Sequence, residues 1–485
     1  MLVMAIDSTL SRTSGPLTED ALTEDPFAPS TGRLSGRTRL VLFVLCAAQF
    51  AVALDFSILN IALPTLGRAL HLSQANLQWG MTAFALPSGG FLLLFGRIAD
   101  SVGRRRIFLT GLSLFTAASV LATLAWSPTS FLIGRALQGL GAAAIVPSGM
   151  ALLTTTFREG PQRDRALGIM GSLMAIGFTC GMVLGGVLTQ LLTWRSTMGL
   201  NVVMGAAVLV AAPLLLTESR NEVRPRIDVP GAVTVTGGLL SLIYALSTAA
   251  QHGFGDTSVL VTLIAAAVLP TAFVVIEART AEPLVSLRIL RRPTVAFGNL
   301  GGLATLASMP GAVFLGTLYL QQVNHLSPVL TGLVFGALGV VCAVTGTVAP
   351  RLVSRHGSAK VLVGGLLLQA ALTFGLLGIS AGTRGTWLFL TVISLAGIGH
   401  MAAIVGYNVT ATSGLPDAEQ GLATGLATTT QQVGMTVGIP LLSALASTHA
   451  DVLGGVKLGL GADAVALAVL ALAVAAGLGA AARRK

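Results

Sequence analysis

Charge is scarce in this sequence. Asp, Glu, Lys and Arg together make up 10% of its 485 residues, against about 25% in soluble globular chains. With 53% apolar residues and a mean hydropathy of +0.83, an ordinary soluble domain is excluded. Cysteine is nearly absent. Cys46, Cys180 and Cys342 lie far apart in separate apolar stretches, which argues against a disulfide framework or a thiolate metal site and for small core residues. Lysine occurs only at Lys360, Lys457 and Lys485, beside 26 arginines, a bias that fits a GC-rich bacterial genome. There is no phosphate-binding Gly-Lys-Ser/Thr loop, no His/Cys cluster and no nucleophile–base set. ATP-driven transport, a metal centre and an organic cofactor are therefore not expected. Nor is nucleic acid, despite the net charge of +10, because the basic residues fall between apolar runs rather than along one face.

What the chain has in abundance is apolar runs about 20 residues long, the length that crosses a bilayer as a helix. Fourteen windows qualify, near 40–63, 76–98, 107–126, 130–155, 166–190, 197–216, 229–250, 257–278, 294–320, 328–350, 360–381, 386–412, 420–445 and 461–482. Twelve spans, with the pair at 229–278 discounted, is the alternative. Residues 1–38 are polar, rich in Ser, Thr, Pro and acids, and are expected to form a disordered cytoplasmic tail rather than a signal peptide.

The basic residues orient these spans. With both termini on one side, 24 of the 29 cations fall on that side, four (Arg68, Arg195, Arg384 and Lys457) on the other, and Arg135 inside a span. Basic residues concentrate on the cytoplasmic face, so both termini are expected in the cytoplasm and any odd span count would destroy the pattern.

The stretch Gly96-Arg97-Ile98-Ala99-Asp100-Ser101-Val102-Gly103-Arg104-Arg105-Arg106 lies between two apolar runs. It is expected to be a short loop, with Gly96 allowing close helix approach, Gly103 the reversal, and Asp100 paired between Arg97 and Arg104. An arginine-rich loop can simply set topology. The order Gly, Arg, Asp, Gly, Arg, however, resembles the signature loop between the second and third helices of the major facilitator superfamily. A shift of 254 residues places Gly103 on Gly357, Arg97 on Arg351, Arg106 on Lys360 and Asp100 on Ser354, a worn second copy. Repeated six-helix halves are the layout the resemblance implies. The expected fold is thus an all-α membrane protein of the major facilitator type, with six-helix halves at 39–218 and 286–485 and two extra central helices within 219–285.

Asp55 lies in the first apolar run, in Leu54-Asp55-Phe56-Ser57-Ile58-Leu59-Asn60-Ile61-Ala62-Leu63-Pro64. A carboxylate in a span costs about 2.5–3.5 kcal/mol on insertion scales and belongs on the bundle interior, where it can exchange a proton. The alternative is a hydrated aspartate near the helix end, or one paired with Arg68. Arg135 stands in Gly134-Arg135-Ala136-Leu137-Gln138-Gly139, with Gln138 and Gly139 on the same helix face; a structural clamp to helix ends is its alternative. In the fifth run, Gly177, Gly181 and Gly185 recur every fourth residue beside Gly186, a smooth packing groove.

These strings resemble the fourteen-helix drug:proton antiporter branch of the superfamily. Its first helix carries Leu-Asp-x-Thr-Ile-Val-Asn-Val-Ala-Leu-Pro, its fourth Arg-x-x-Gln-Gly, and its fifth Gly-x-x-x-Gly-Pro-x-x-Gly-Gly, where Met182 replaces the proline. The resemblance implies proton coupling through Asp55 and Arg135, with Asn60 and Gln138 beside them, and a conformational gate at Gly96, Arg97, Asp100, Gly103 and Arg104. Asp100 would then latch onto the helix beginning near Asp417 to Gln420 through its N-terminal dipole. Asn201, Gln321, Gln322, His400, Tyr407, Asn408, Gln431 and Gln432 are further polar residues in spans, able to line a cavity or merely to bridge helices. With no acidic residue expected deep in a second-half span, Asp55 carries the proton. The expectation is a monomer in a bacterial plasma membrane that uses the proton gradient, with no cofactor, to expel a small amphipathic drug or antibiotic. An importer of the same fold is the rival, opposed by the fifth-helix glycines. A membrane-embedded enzyme is opposed by the missing catalytic set.

Overall fold

A chain segment surrounded by hydrocarbon must satisfy its backbone polar groups internally, which leaves the helix as the only structure for a lone apolar run. The computed structural model describes residues 36–72, 77–157, 160–219, 228–280, 287–415 and 417–483, and among them there is no strand. Most of the expected tail, 1–35, and the boundary near 285 lie outside the described residues.

The first helices are α1 (Gly36–Ala69), α2 (Trp79–Gly90), α3 (Leu92–Val102), α4 (Arg104–Thr123), α5 (Pro128–Thr156), α6 (Pro161–Leu191) and α7 (Trp194–Leu215). Then come α8 (Val229–His252), α9 (Thr257–Glu277) and the single turn α10 (Leu287–Leu290). The last are α11 (Pro293–Leu318), α12 (Pro328–His356), α13 (Ser358–Gly375), α14 (Thr383–Thr412), α15 (Asp417–Ala446) and α16 (Val452–Arg483). Among the described residues, twelve helices are long and apolar enough to cross a membrane, or thirteen when α2 and α3, bent by 46°, count as one. The expected span 420–445 is occupied by α15, which is not among them; its middle carries Thr428, Thr429, Thr430, Gln431 and Gln432. Fourteen spans are therefore not established.

The 254-residue repeat is visible in the packing. α1 lies against α6 and α7 as α11 lies against α15 and α16, while α4 packs on α5 and α7 as α13 packs on α14 and α16. Gly103 joins α3 to α4 at φ +130°, and Gly357 joins α12 to α13 at φ +85°. Each is the one residue between two helices, in a backbone region where a Cβ is strained. The two halves meet chiefly through α6 on α12 and α2 on α15.

The bend in the second span has a local cause. Pro87 removes a backbone donor, Gly89 and Gly90 follow it, and the helix breaks at Phe91. The Gly90 carbonyl freed by the break accepts the Thr236 hydroxyl of α8 at 2.7 Å. Gln78 likewise donates to the Ser247 carbonyl at 2.8 Å, so α8 is stitched to α2 while also packing on α15. Outside it lies α9, with Val261, Ile264, Val268 and Val274 exposed, as suits a helix facing lipid.

Three expectations need correction. The stretch 96–106 is not a loop, since Gly96 to Val102 belong to α3 and α4 starts at Arg104; Gly103 alone makes the reversal. Gly96 is not at a close approach either, because a Cβ there would sit 3.6 Å from Pro147, an ordinary contact. Finally, the outer cations Arg68, Arg195, Arg384 and Lys457, expected between spans, all lie in helices, since α1 runs to Ala69 and α7, α14 and α16 begin at Trp194, Thr383 and Val452.

Candidate functional site

The strongest constellation lies inside the first half. Asp55 of α1 and Arg135 of α5 are both 0% exposed. The Arg135 Nη1 group donates to Asp55 Oδ1 at 2.9 Å and Oδ2 at 2.7 Å. It also donates to Gln138 Oε1 at 2.9 Å, while Nε donates to the Gly80 carbonyl of α2 at 3.1 Å. Phe84 lies under the guanidinium, 4.6 Å from the Cζ to the ring centroid, a favourable cation–π geometry. Asn201 of α7 donates through Nδ2 to Asp55 Oδ1. Gln138 Nε2 donates to Ser119 of α4 at 2.8 Å. Side chains of α5 and α7 thus meet one carboxylate of α1, and groups of α2 and α4 hold the α5 side chains from behind. Neither hydration nor Arg68 accounts for Asp55.

A buried pair of this kind is poised rather than simply stabilising. Its Coulomb gain is offset by desolvation, whereas removing either partner leaves a buried charge uncompensated, at a cost of about 3–5 kcal/mol. Adding a proton to the carboxylate would free the guanidinium in the same way.

The glycines of α6 stand where expected. A Cβ on Gly177 would come within 3.1 Å of the Phe50 carbonyl, on Gly181 within 2.8 Å of the Leu54 carbonyl, and on Gly185 within 2.5 Å of the Ile58 carbonyl. These three therefore seat α6 on the stretch of α1 that bears Asp55. Gly186 faces the other way, its Cβ position 2.4 Å from the Pro328 carbonyl of α12. Met182 is buried in the core, and α6 runs unbroken through it.

At the Gly103 junction, Asp100 accepts from Arg104 Nη2 at 2.9 Å and Nε at 3.1 Å. Glu218, just beyond α7, accepts the Arg105 and Arg106 backbone N–H groups at 3.0 and 3.2 Å. An anion there satisfies open donors at the N-terminus of α4 and complements its dipole. The side chains at 417–422 lie outside the described residues, and with them the expected latch of Asp100 onto the start of α15.

Set against known proteins, the chain matches the Major Facilitator Superfamily over residues 45–439. The chain belongs to that superfamily. It is 37% identical over 451 residues to a cephamycin export protein of Amycolatopsis lactamdurans, covering 89% of this chain and 92% of the relative. It is 36% identical over 414 residues to a puromycin resistance protein of Streptomyces alboniger, covering 84% and 81%. Among solved structures, an in meso crystal structure of a POT-family transporter superposes with TM-score 0.68 at 15% identity over 92% of this chain and 99% of that one, a likeness of fold alone. As a superfamily member the chain is a multi-pass membrane transporter of small molecules, rather than an enzyme.

The remaining polar residues of this transporter divide by position. Asn60 does not join Asp55. It accepts from Thr317 of α11 at 3.2 Å, next to the contact in which Gln321 donates to the Ile61 carbonyl at 2.9 Å. With Val329 N donating to Gln190 Oε1 at 3.2 Å, these bonds tie the halves together at the end opposite Gly103. Tyr407 is a packing residue, buried and donating to the Ala427 carbonyl at 2.6 Å. Asn408 is exposed and accepts from Gln431 at 3.1 Å; Gln322 and Gln432 are half-buried. His400 is 9% exposed and bonded to Thr305 at 2.8 Å.

One expectation fails outright in this half. Asp463 is 7% exposed, three turns into α16, so an acidic residue does sit deep in a second-half helix. A last span that starts at 461 places it at a helix end. The glycine-rich lead Val452-Leu-Gly-Gly-Val-Lys-Leu-Gly looks like loop but is helical. The dense Gly content and the mid-run Lys457 mask the first nine residues of a 32-residue helix.

Proposed function

We propose that this transporter exports a small amphipathic drug or antibiotic across the bacterial plasma membrane in exchange for protons, by alternating access. The buried Asp55–Arg135 pair is the observation that carries this reading, and the export and resistance names of its relatives give it direction. In this scheme a proton entering from outside neutralises Asp55 and breaks the bidentate grip on Arg135. Arg135 then turns to other acceptors, with Gln138 and the Gly80 carbonyl holding it in place. The contacts among α1, α5 and α7 loosen, the α6–α12 seam shifts, and the cavity changes sides. Release of the proton inside restores the pair.

The positive-inside distribution supports both termini in the cytoplasm, so the Gly103 and Gly357 junctions face inward and the bonds at Asn60, Gln321 and Gln190 close the outer end. Arg97, Asp100, Gly103 and Arg104 then form the inner gate, and Asp100 latches to α15 when that end closes. Asn408, Gln431 and Gln432 are assigned to the substrate path. Fourteen spans, with α2 and α3 as one and α15 as another, follow if α15 crosses despite its polar middle. The halves are bounded at 39–218 and 286–485, with α8 and α9 between them, and the unit is a monomer that needs no cofactor. The importer reading lacks any comparable support.

The test is accumulation of ethidium and puromycin in a pump-deficient bacterium expressing the full chain, with and without an uncoupler. Uncoupler-sensitive lowering of either compound is the expected result. No lowering of either, or of a wider antibiotic panel that includes a cephamycin, would overturn the proposal.

A further inference from the structure

A second polar chain runs through the interior of the other half, and the Asp55 scheme makes no use of it. Asp463 of α16 accepts from the Ser308 hydroxyl of α11 at 2.6 Å. Ser308 accepts from Gln369 Nε2 of α13 at 3.0 Å, and Gln369 Oε1 accepts from Thr305 of α11 at 2.6 Å. Thr305 then meets His400 Nδ1 of α14 at 2.8 Å. All five side chains are buried.

The location is not arbitrary. Under the 254-residue repeat α11, α13, α14 and α16 correspond to α1, α4, α5 and α7, the helices that carry Asp55, Ser119, Arg135 with Gln138, and Asn201. Ser308 is one residue from Met309, the repeat counterpart of Asp55. The two halves therefore hold polar clusters on the same four helices, the second nearer the Gly357 end, since Asp463 lies eight residues beyond Gly455, the counterpart of Asn201, and His400 eleven beyond Phe389, the counterpart of Arg135. In one an acid faces an arginine; in the other an acid and a histidine sit at the ends of a relay.

We infer that Asp463 and His400 form a second proton-binding site, coupled through Ser308, Gln369 and Thr305. This rests on the proton-exchange reading above and adds to it. The coupling follows from donor counting. Thr305 and Ser308 each have one hydroxyl proton, so the direction of every bond is set by the orientation of the Gln369 amide. As drawn, His400 Nδ1–H donates to Thr305 and the relay ends with Ser308 donating to a bare Asp463 oxygen. Turning the amide over reverses every bond: protonated Asp463 donates to Ser308, and Thr305 donates to a bare His400 Nδ1. A proton bound at Asp463 thus requires Nδ1 to give up its own. Protons enter from and leave to water at either end, and no other bond is made or broken.

Among the described residues, no other charged side chain bonds to either end of this relay. On the elements packed against α16 and α14, α11 bears no titratable side chain and α13 bears Lys360 in its first turn. α12 bears Cys342, whose thiol faces the Gly397 carbonyl, and Arg351, Arg355 and His356 toward its end. α15 bears Asp417 and Glu419 in its first turn, α14 also bears Arg384 and Tyr407, and α16 bears Lys457 and Arg483. The π-helical turn after α11 adds Tyr319, which donates to the Ser380 carbonyl. Among the described residues none of these is bonded to Asp463 or His400.

The experiment is an infrared pH titration of the carboxyl C=O stretch of the purified full chain in liposomes. Wild type is compared with Asp463→Asn, His400→Gln, Gln369→Leu and Asp55→Asn. The expected result is a titrating carboxyl band that Asp463→Asn removes and Asp55→Asn leaves. Its midpoint should move by about tenfold in proton concentration in His400→Gln and in Gln369→Leu, the scale of a single lost charge-coupled interaction. If Asp463→Asn does not insert, the other two variants still read the coupling. An Asp463→Asn spectrum identical to wild type, or a midpoint indifferent to both relay variants, as a purely structural role predicts, overturns the inference. Because the readout needs no transport, absence of ethidium efflux would count against the export proposal and leave this one standing.

Discussion

The Asp55 carboxylate and the Arg135 guanidinium meet at 2.7 and 2.9 Å with no exposed surface on either side chain. Their separate removal and joint removal should therefore have different effects. Asp55→Asn leaves a buried cation and should destabilise the protein by about 3–5 kcal/mol, as single-partner deletions do, and abolish uncoupler-sensitive efflux. The double variant Asp55→Asn with Arg135→Gln removes both charges and should recover most of the stability without recovering transport. Arg135→Lys should not rescue, since a lysine lacks the fork that reaches Asp55, Gln138 and the Gly80 carbonyl together. Thermal unfolding in detergent and whole-cell ethidium efflux measure the two properties separately.

Two adjacent glycines should fail in different ways. A Cβ on Gly185 would press on the Ile58 carbonyl within one half, whereas on Gly186 it would press on the Pro328 carbonyl across the seam. Gly185→Ala should lower the melting temperature, by an overpacking cost of about 1–3 kcal/mol. Gly186→Ala opposes only the conformation in which α6 and α12 touch, so it should shift the population toward the state with that end open. Thiol labelling of a cysteine placed at Gln190, which bonds to Val329 across the same seam, should rise by about fivefold per 1 kcal/mol of bias. Unchanged labelling would show that the seam tolerates the methyl.

How much of this was legible beforehand varies with the range of the interaction. The placing of Asp55 and Arg135 in helices and the α6 groove rest on local periodicity, and the repeat on a motif that recurs 254 residues along the chain. The partnership of Asp55 with Asn201 crosses 146 residues, and no local pattern announces it; Asn201 looked like one cavity residue among several. Glu218 is 113 residues from the backbone it caps, in a Thr-Glu-Ser string that reads as ordinary loop. Asp463 was hidden because glycine is a poor helix former in water, while a lipid-embedded backbone has no alternative partner and forms helix regardless.

The paired junction glycines offer a graded comparison. Gly103 has φ +130° and its Cβ position is 2.7 Å from Glu218 Oε1, while Gly357 has φ +85° with nothing within 4 Å. Gly357→Ala should cost only the backbone strain of about 1–3 kcal/mol. Gly103→Ala carries strain of that kind and also displaces the Glu218 cap, so its melting temperature should fall further. Glu218→Gln keeps an acceptor but loses the charge that favours a helix N-terminus, an effect of about 0.3–1 kcal/mol. Equal melting temperatures for the two alanine variants would mean that the Glu218 cap contributes nothing.

The exposed helix caps predict a pH response separate from transport. Asp256 holds the start of α9 by accepting from Ser258 N–H at 2.8 Å and from the Ser258 hydroxyl. Asp451 accepts from Gly454 N–H at 2.7 Å and pairs with His449 at 2.9 Å. These bonds hold both carboxyls below the ordinary aspartate value of 3.8, chiefly through Ser258 in one case and the Gly454 N–H in the other. A carboxyl held low binds its proton less readily folded than unfolded. Its contribution is thus complete above the unfolded value and disappears as pH falls through the folded one. Wild type should therefore lose melting temperature more steeply below about pH 4 than a double variant in which Asp256→Asn and Asp451→Asn keep a capping oxygen without a titrating group. At neutral pH wild type should be slightly the more stable, and the two proteins should converge once both carboxyls are protonated. Parallel pH profiles for the two proteins would show that these caps leave stability unaffected by proton binding.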